Sequence, residues 1–347
     1  VKALLYRTPG GPEVLEYVDV DDPTPGARDV VVDVAATALN HLDVVQRNGW
    51  FTMPGFTLPH VAGMDVVGTV SAVGSDVTSV AIGDRVVVDP SLSEVPEGST
   101  LAGMGDLYGD LGVIGATVAG GYAQQCVAPD THVHRIPDAM SWHQAVCFPT
   151  AFMTAWHALF PIGRLAAGET MMVHAAGSGV SMAAIQLAKH VGATVIATAG
   201  TDDKVQRALE LGADHACNNR TTDVTGFARE VTAGAGVDLV FDHVGPALWA
   251  QSMFSLKPRG RLVNCGNTTG DTATIPSLGF MFHMGIQILG SDPYRYSEFA
   301  EAWAVYTSGS FDAVVDSVFP LADGAAAQDK MLRSDFFGKI LLEPPAR

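Results

Sequence analysis

Cysteine is scarce in this chain. Four occur in 347 residues. They are Cys126, Cys147, Cys217 and Cys265, and no two are spaced Cys-x-x-Cys. That spacing excludes a zinc-ribbon pattern and implies no disulfide framework, so reduced thiols in a cytoplasmic protein are expected. Basic residues are also few: 20 Lys and Arg stand against 37 Asp and Glu, for a net charge of −17. Such a surface repels the phosphates of nucleic acids and of anionic lipids, so neither nucleic acid nor membrane is an expected partner. It leaves room for a local basic pocket that accepts a phosphorylated cofactor. Long apolar runs are missing too, because each is interrupted by Gly, Pro or a charge, and no transmembrane helix is expected. The opening Lys2-Ala3-Leu4-Leu5-Tyr6 reads as a strand, not as the apolar core of a signal peptide.

What the chain has in quantity is apolar side chains, 48% of the total. That is too many for a disordered polymer, and at this length two domains are expected. Residues 1–140 read as short strands with Gly and Asp punctuation. Val14–Val20, Asp29–Val34, Val66–Gly74 and Gly83–Val88 are the clearest. Strands at this spacing predict a small barrel or sandwich. Residues 91–120 have little periodicity and read as a long loop or lobe. From 141 to 292 helices and strands alternate, which predicts a doubly wound parallel sheet. Ser141 reads as a helix N-cap, and Pro149 as a break in that helix. Two strand-like runs near Val314–Phe319 and Gly338–Leu342 close the chain, and the last reads as a return to the first domain. The domain assignment is therefore 1–140 with 293–347, and 141–292.

The centre of the second domain is Met171-Met172-Val173-His174-Ala175-Ala176-Gly177-Ser178-Gly179-Val180-Ser181. An apolar run enters a turn of small residues, and an alanine-rich helix follows. A pyrophosphate needs close backbone approach and the free N–H groups of a helix start, which this stretch offers through Ala176, Gly177, Ser178, Gly179 and Val180. Alone it is an imperfect glycine fingerprint.

Local motifs then accumulate in order: Ala38-Leu39-Asn40-His41-Leu42-Asp43, Gly63-Met64-Asp65-Val66-Val67-Gly68, Gly83-Asp84-Arg85-Val86, Gly120-Gly121-Tyr122-Ala123, Leu211-Gly212-Ala213-Asp214 and Gly338-Lys339. Over essentially its full length the chain resembles the medium-chain dehydrogenase/reductase superfamily, near the quinone oxidoreductase-like proteins often labelled zinc-type alcohol dehydrogenases. The resemblance implies a Rossmann domain beside a β-rich chaperonin-10-like (GroES-like) domain. Zinc members hold their catalytic metal with Cys, His and Cys plus a nearby acid. The matching positions here carry Asn40, Met64 and Thr150, with Asp65 at the acid. The structural-zinc lobe of the family has four cysteines, and its counterpart here, near Ser91–Gly115, has none. Neither set suits zinc, so no metal is expected.

Without a metal, an acceptor that is already electron-poor is favoured. A quinone or an α,β-unsaturated carbonyl needs only hydrogen-bond donors at its oxygen, whereas a simple ketone needs strong polarisation. Asn40 and Thr150 are the implied catalytic residues. Trp50, Asp65 and Tyr122 are candidate pocket residues, and a hydroxyl such as Tyr108 is a candidate proton source. Two alternatives remain: a zinc-dependent alcohol dehydrogenase with atypical ligands, and a non-catalytic nucleotide-binding relative.

For the cofactor, NADPH is expected and NADH is possible. The second Rossmann strand ends at Ala199, where an acid would bind a ribose 2′-hydroxyl. A 2′-phosphate would instead meet Gly200, Thr201 and Lys204. Asp202 and Asp203 oppose this reading. By the same resemblance His41 is a cofactor contact; His243, Val244, Cys265, Gly266 and Asn267 follow the ends of Rossmann strands, where such ligands lie, and with Ser291 and Lys339 are further expected contacts. Relatives pair through Rossmann edge strands, and the matching Met284–Leu289 is apolar, so a homodimer or dimer of dimers is expected.

Overall fold

The computed structural model describes residues 1–102, 112–309 and 311–346. In chain order its elements are β1 (Lys2–Tyr6), β2 (Glu16–Asp19), β3 (Asp29–Ala38), α1 (His41–Arg47), β4 (His60–Val61), β5 (Asp65–Val73), β6 (Arg85–Val88), β7 (Gln125–Pro129), β8 (Val133–Arg135), α2 (Trp142–Val146) and α3 (Pro149–His157). There follow β9 (Thr170–Val173), α4 (Gly179–His190), β10 (Thr194–Ala199), α5 (Asp202–Glu210), β11 (His215–Asn218), α6 (Val224–Val231), β12 (Val237–Asp242), α7 (Trp249–Ser255), β13 (Leu256–Asn264), α8 (Leu278–Met284) and β14 (Gln287–Gly290). The chain closes with α9 (Tyr296–Ser308), β15 (Val315–Pro320), α10 (Gly324–Leu332) and β16 (Lys339–Glu343).

Two compact units result: Val1–Ala151 with Arg295–Arg347, and Phe152–Tyr294. The first division therefore falls at Ala151 and not at residue 140. The reason is packing. Helix α2 lies on β3 and β5, and the Tyr306 hydroxyl of α9 donates to the Gln144 carbonyl at 2.8 Å. Ser141 caps α2 as expected, its hydroxyl accepting the Gln144 N–H. Pro149 does not break a helix but starts one, because its missing N–H costs nothing in the first turn.

The first unit is β-rich. Its larger sheet runs β15-β16-β3-β5-β6-β8, with β7 also paired to β3, and a smaller one runs β2-β1-β4. The alternating valines of β3, β5 and β6 fill its core: Val30, Val32, Val66, Val70, Val86 and Val88 are all at most 1% exposed. Strand β16 lies antiparallel on β3, with Leu341 opposite Ala38, so the chain end does return to this unit. Helix α10 was not legible as a separate element in the sequence.

The second unit is a six-stranded parallel sheet in the order β11-β10-β9-β12-β13-β14. Its central strand β12 is buried at every residue. That fits a strand covered on both faces, although Asp238 and Asp242 interrupt its apolar residues. Among the described residues no helix is long and apolar enough to cross a membrane.

Candidate active site

In the parallel sheet the expected dinucleotide residues share one edge. Ala176–Val180 follow the end of β9, Gly200 and Thr201 follow β10, His243 and Val244 follow β12, Cys265–Asn267 follow β13, and Ser291 follows β14. Strand order reverses between β9 and β12, which is where such sheets bind ligands. Ala175 takes a left-handed φ of 50° to make the turn. Ser178 caps α4, its hydroxyl accepting the Ser181 N–H at 3.1 Å. Ala176 and Gly177 are buried, and Ser178, Gly179 and Val180 are partly exposed at the helix start. Lys204 lies in the first turn of α5, where Thr201 accepts its N–H.

A buried polar chain underlies this turn. His174, at the end of β9, is 0% exposed, as are Thr198, Asp242 and Ser252. Ser252 Oγ donates to Asp242 Oδ2 at 2.8 Å. It then accepts from His174 Nε2 at 2.9 Å, and His174 Nδ1 accepts from Thr198 Oγ1 at 2.8 Å. Burial pushes the His174 pKa down, so the ring is neutral with its proton on Nε2. Asp242 Oδ1 in turn accepts the N–H groups of Val244 and Gly245. Ser181 Oγ donates to the His174 carbonyl at 2.6 Å and lies 2.7 Å from His243 Nε2. Three strand ends and the start of α4 are thereby tied together beneath the turn from Ala176 to Val180. The sequence showed His174 as a polar residue ending an apolar strand, and its role went unread.

Arg220 also went unread. It follows β11, and its guanidinium reaches over Gly200, with Nε 3.2 Å from where a β-carbon there would lie. Asp202 is turned to Asn218, accepting its side-chain N–H at 2.8 Å.

The β-rich unit carries the second cluster, and strand register builds it. Ala38, at the end of β3, has Leu341 of β16 on one side and Asp65 of β5 on the other. Continuing that register sets Lys339 across from Asn40. Gly338 lets β16 enter there, for a β-carbon at its φ of 124° would strike the Val314 carbonyl. Lys339 Nζ donates to Leu39 O at 2.9 Å, Asn40 Oδ1 at 2.7 Å and Asp65 Oδ2 at 2.8 Å. Asn40 Nδ2 donates to Asp65 Oδ2 at 2.9 Å and reaches Thr150 Oγ1 at 3.4 Å. The Thr150 N–H, in the first turn of α3, donates to Asp65 Oδ1 at 2.8 Å. Asn40 is 8% exposed, Lys339 5% and Asp65 0%. Lys339 thus spends all three ammonium hydrogens inside its own unit, against the expected role at the cofactor.

Beneath Asn40 lies Asp43, which went unnoticed as a site residue. Its Oδ2 accepts the Asn40 N–H at 2.9 Å and the Tyr122 hydroxyl at 2.8 Å. Burial pushes its pKa up to about 6. The expected pocket residue Tyr122 is a correction: it is 0% exposed, packed among Leu4, Tyr6, Leu39 and Val44. Asp65 is likewise enclosed and lines no open surface. Trp50 is 68% exposed, just after α1, and His41, at the start of α1, is exposed. Tyr108 lies outside the described residues.

Zinc does not fit this donor set. Asp65 is its one anionic donor and already accepts from an ammonium, an amide and a backbone N–H. Among the described residues no three His, Cys, Asp or Glu side chains are grouped to hold a metal.

Known proteins match both halves. Residues 26–138 match the alcohol dehydrogenase GroES-like domain family, and residues 179–308 match the zinc-binding dehydrogenase family. A quinone oxidoreductase of Pseudomonas aeruginosa is 30% identical, over 99% of both chains. The chain belongs to the medium-chain dehydrogenase/reductase superfamily, in its quinone oxidoreductase-like branch. It is an oxidoreductase of that superfamily. Among solved structures, an NAD-dependent alcohol dehydrogenase is similar at 37% identity with a TM-score of 0.91, covering 99% of each chain. The Escherichia coli quinone oxidoreductase complexed with NADPH is similar at 28% identity with a TM-score of 0.83, covering 99% of this chain and 100% of that one. This superfamily frame agrees with the parallel sheet and its switch point.

Proposed function

We propose that the protein is a zinc-independent, NADPH-dependent oxidoreductase that transfers hydride to a quinone or an α,β-unsaturated carbonyl. The observation that carries this reading is the Asn40–Thr150–Asp65–Lys339 cluster, which holds hydrogen-bond donors and an internal ammonium where zinc does not fit.

The strand ends of the second unit fit a dinucleotide. The turn from Ala176 to Val180 presents small residues and the start of α4 to a pyrophosphate. Gly200, Thr201 and Arg220 would receive a 2′-phosphate beside Ala199, with the Arg220 guanidinium supplying the charge. Backbone near His243, Val244, Cys265, Gly266, Asn267 and Ser291 would border the rest. When bound, the cofactor supplies the hydride. Asn40 Nδ2, whose second hydrogen has only 3.4 Å contacts, would provide a donor that stabilises the oxygen on which negative charge develops, with the Thr150 side chain beside it. The buried carboxylate of Asp65 orients both, through the Asn40 amide and the Thr150 backbone N–H.

The test is a turnover screen with NADPH and NADH against quinones, enones, simple ketones and alcohols, each with and without a chelator. Quinone or enone reduction with NADPH, untouched by the chelator, is the expected result. Turnover restricted to alcohols and ketones, or abolished by the chelator, overturns the reading. The likeness to an NAD-dependent alcohol dehydrogenase makes NADH with an alcohol product the control that matters most.

A further inference from the structure

An asparagine amide can sit in either of two orientations, and its neighbours decide between them. Around Asn40 they decide without ambiguity. The Lys339 ammonium only donates, and it lies 2.7 Å from Oδ1. The Asp65 carboxylate only accepts, and it lies 2.9 Å from Nδ2. A flipped amide would set N–H against ammonium and carbonyl against carboxylate. The retained orientation leaves the second Nδ2 hydrogen shared loosely between Thr150 Oγ1 and the Ala38 carbonyl, each at 3.4 Å.

We propose that Lys339 is a positioning residue: its ammonium locks the Asn40 amide so that the second Nδ2 hydrogen, held only by 3.4 Å contacts to Thr150 Oγ1 and the Ala38 carbonyl, turns to the oxygen of the hydride acceptor. The inference rests on the functional reading above and gives Lys339 a part that the resemblance did not. The residue is 5% exposed, and its three hydrogens are taken by Leu39, Asn40 and Asp65, so none is left for a cofactor phosphate. An ammonium on the carbonyl side polarises the amide and strengthens its N–H as a donor. No proton leaves Lys339 in this role. The lock forms only because β16 returns to β3 in one register, with Gly338 clearing the way for the strand.

The decisive experiment compares K339M, N40A and N40A/K339M with the wild type, in two independent readouts. In the first, quinone kcat and NADPH affinity are measured separately. K339M should lose about tenfold or more in kcat while its NADPH Kd stays within about threefold. The double variant should be no slower than N40A, because Lys339 acts through Asn40. A large rise in NADPH Kd with kcat retained would make Lys339 a cofactor ligand and overturn the proposal, as would effects that simply multiply. The second readout is the Asn40 side-chain amide pair in nitrogen–proton NMR, identified by its absence in N40D. It should be shifted and protected from exchange in the wild type and resemble a free amide in K339M. An unchanged pair refutes the lock. This signal does not depend on turnover, so a wrong substrate class and a wrong lock give different results. If K339M does not fold, D65N/K339M removes both buried charges together and must show the same loss of kcat with cofactor affinity kept.

Discussion

Asp43→Asn should stabilise the protein at neutral and alkaline pH. Asp43 is 3% exposed, and burial raises its pKa from an ordinary 3.8 to about 6. A carboxyl whose folded pKa is raised binds its proton more tightly in the folded state. Its contribution to stability is therefore fully present below pH 3.8 and is lost as pH rises through about 6. At ~1.4 kcal/mol per pH unit, the wild type gives up ~3 kcal/mol by pH 8 to keep this carboxylate ionised in the core. Asparagine retains the oxygen that accepts from the Asn40 N–H and the Tyr122 hydroxyl. It replaces Oδ1, which has no protein partner, with an amide nitrogen. Leaving that nitrogen unpaired costs about 1 kcal/mol, so a net gain of ~2 kcal/mol is expected at pH 8. Urea unfolding of both proteins from pH 4 to 8 measures it. The gap between them should widen from about pH 4 to about pH 6 and level off above that. A variant less stable than the wild type at pH 8, or a gap that does not change with pH, would refute the reasoning.

Three further outcomes are expected. Ala199→Asp should reverse a preference for NADPH over NADH, and Arg220→Ala should weaken NADPH alone by about tenfold; equal binding of both cofactors by the wild type in fluorescence titrations would contradict this. Gly179→Val should sharply lower cofactor affinity, because a branched side chain at the first residue of α4 fills the space a pyrophosphate needs, while circular dichroism stays unchanged; unaltered affinity would remove the turn from the site. The protein should be a homodimer through β14, the edge strand of its sheet, beside Leu278, Phe282 and Ile288, which are 65%, 69% and 37% exposed. Light scattering that shows a monomer at micromolar concentration would count against it.

Much of this was legible in the residues in order, because local rules govern it. Period-two alternation and buried valine runs mark the strands of the β-rich unit. The alternation of helices and apolar strands fixes a doubly wound sheet. The small residues of Ala176–Val180 mark the turn, and all of these signals act within a few neighbouring residues. Capping is local too, and Ser141 showed it. What the order of residues did not contain was the partner of each polar group. Lys339 stands nearly three hundred positions from Asn40 and meets it only through the register of β16 on β3. Tyr122 could be read as a pocket aromatic until the fold enclosed it. His174 and Asp43 are a single histidine and a single acid in the sequence, and burial among specific partners makes one a neutral tie and the other a raised carboxyl. The sequence determined which elements form and where the turn of small residues after β9 lies. The tertiary structure decided which charges are buried and with whom, since desolvation and hydrogen bonding depend on distances that only strand pairing between remote segments sets.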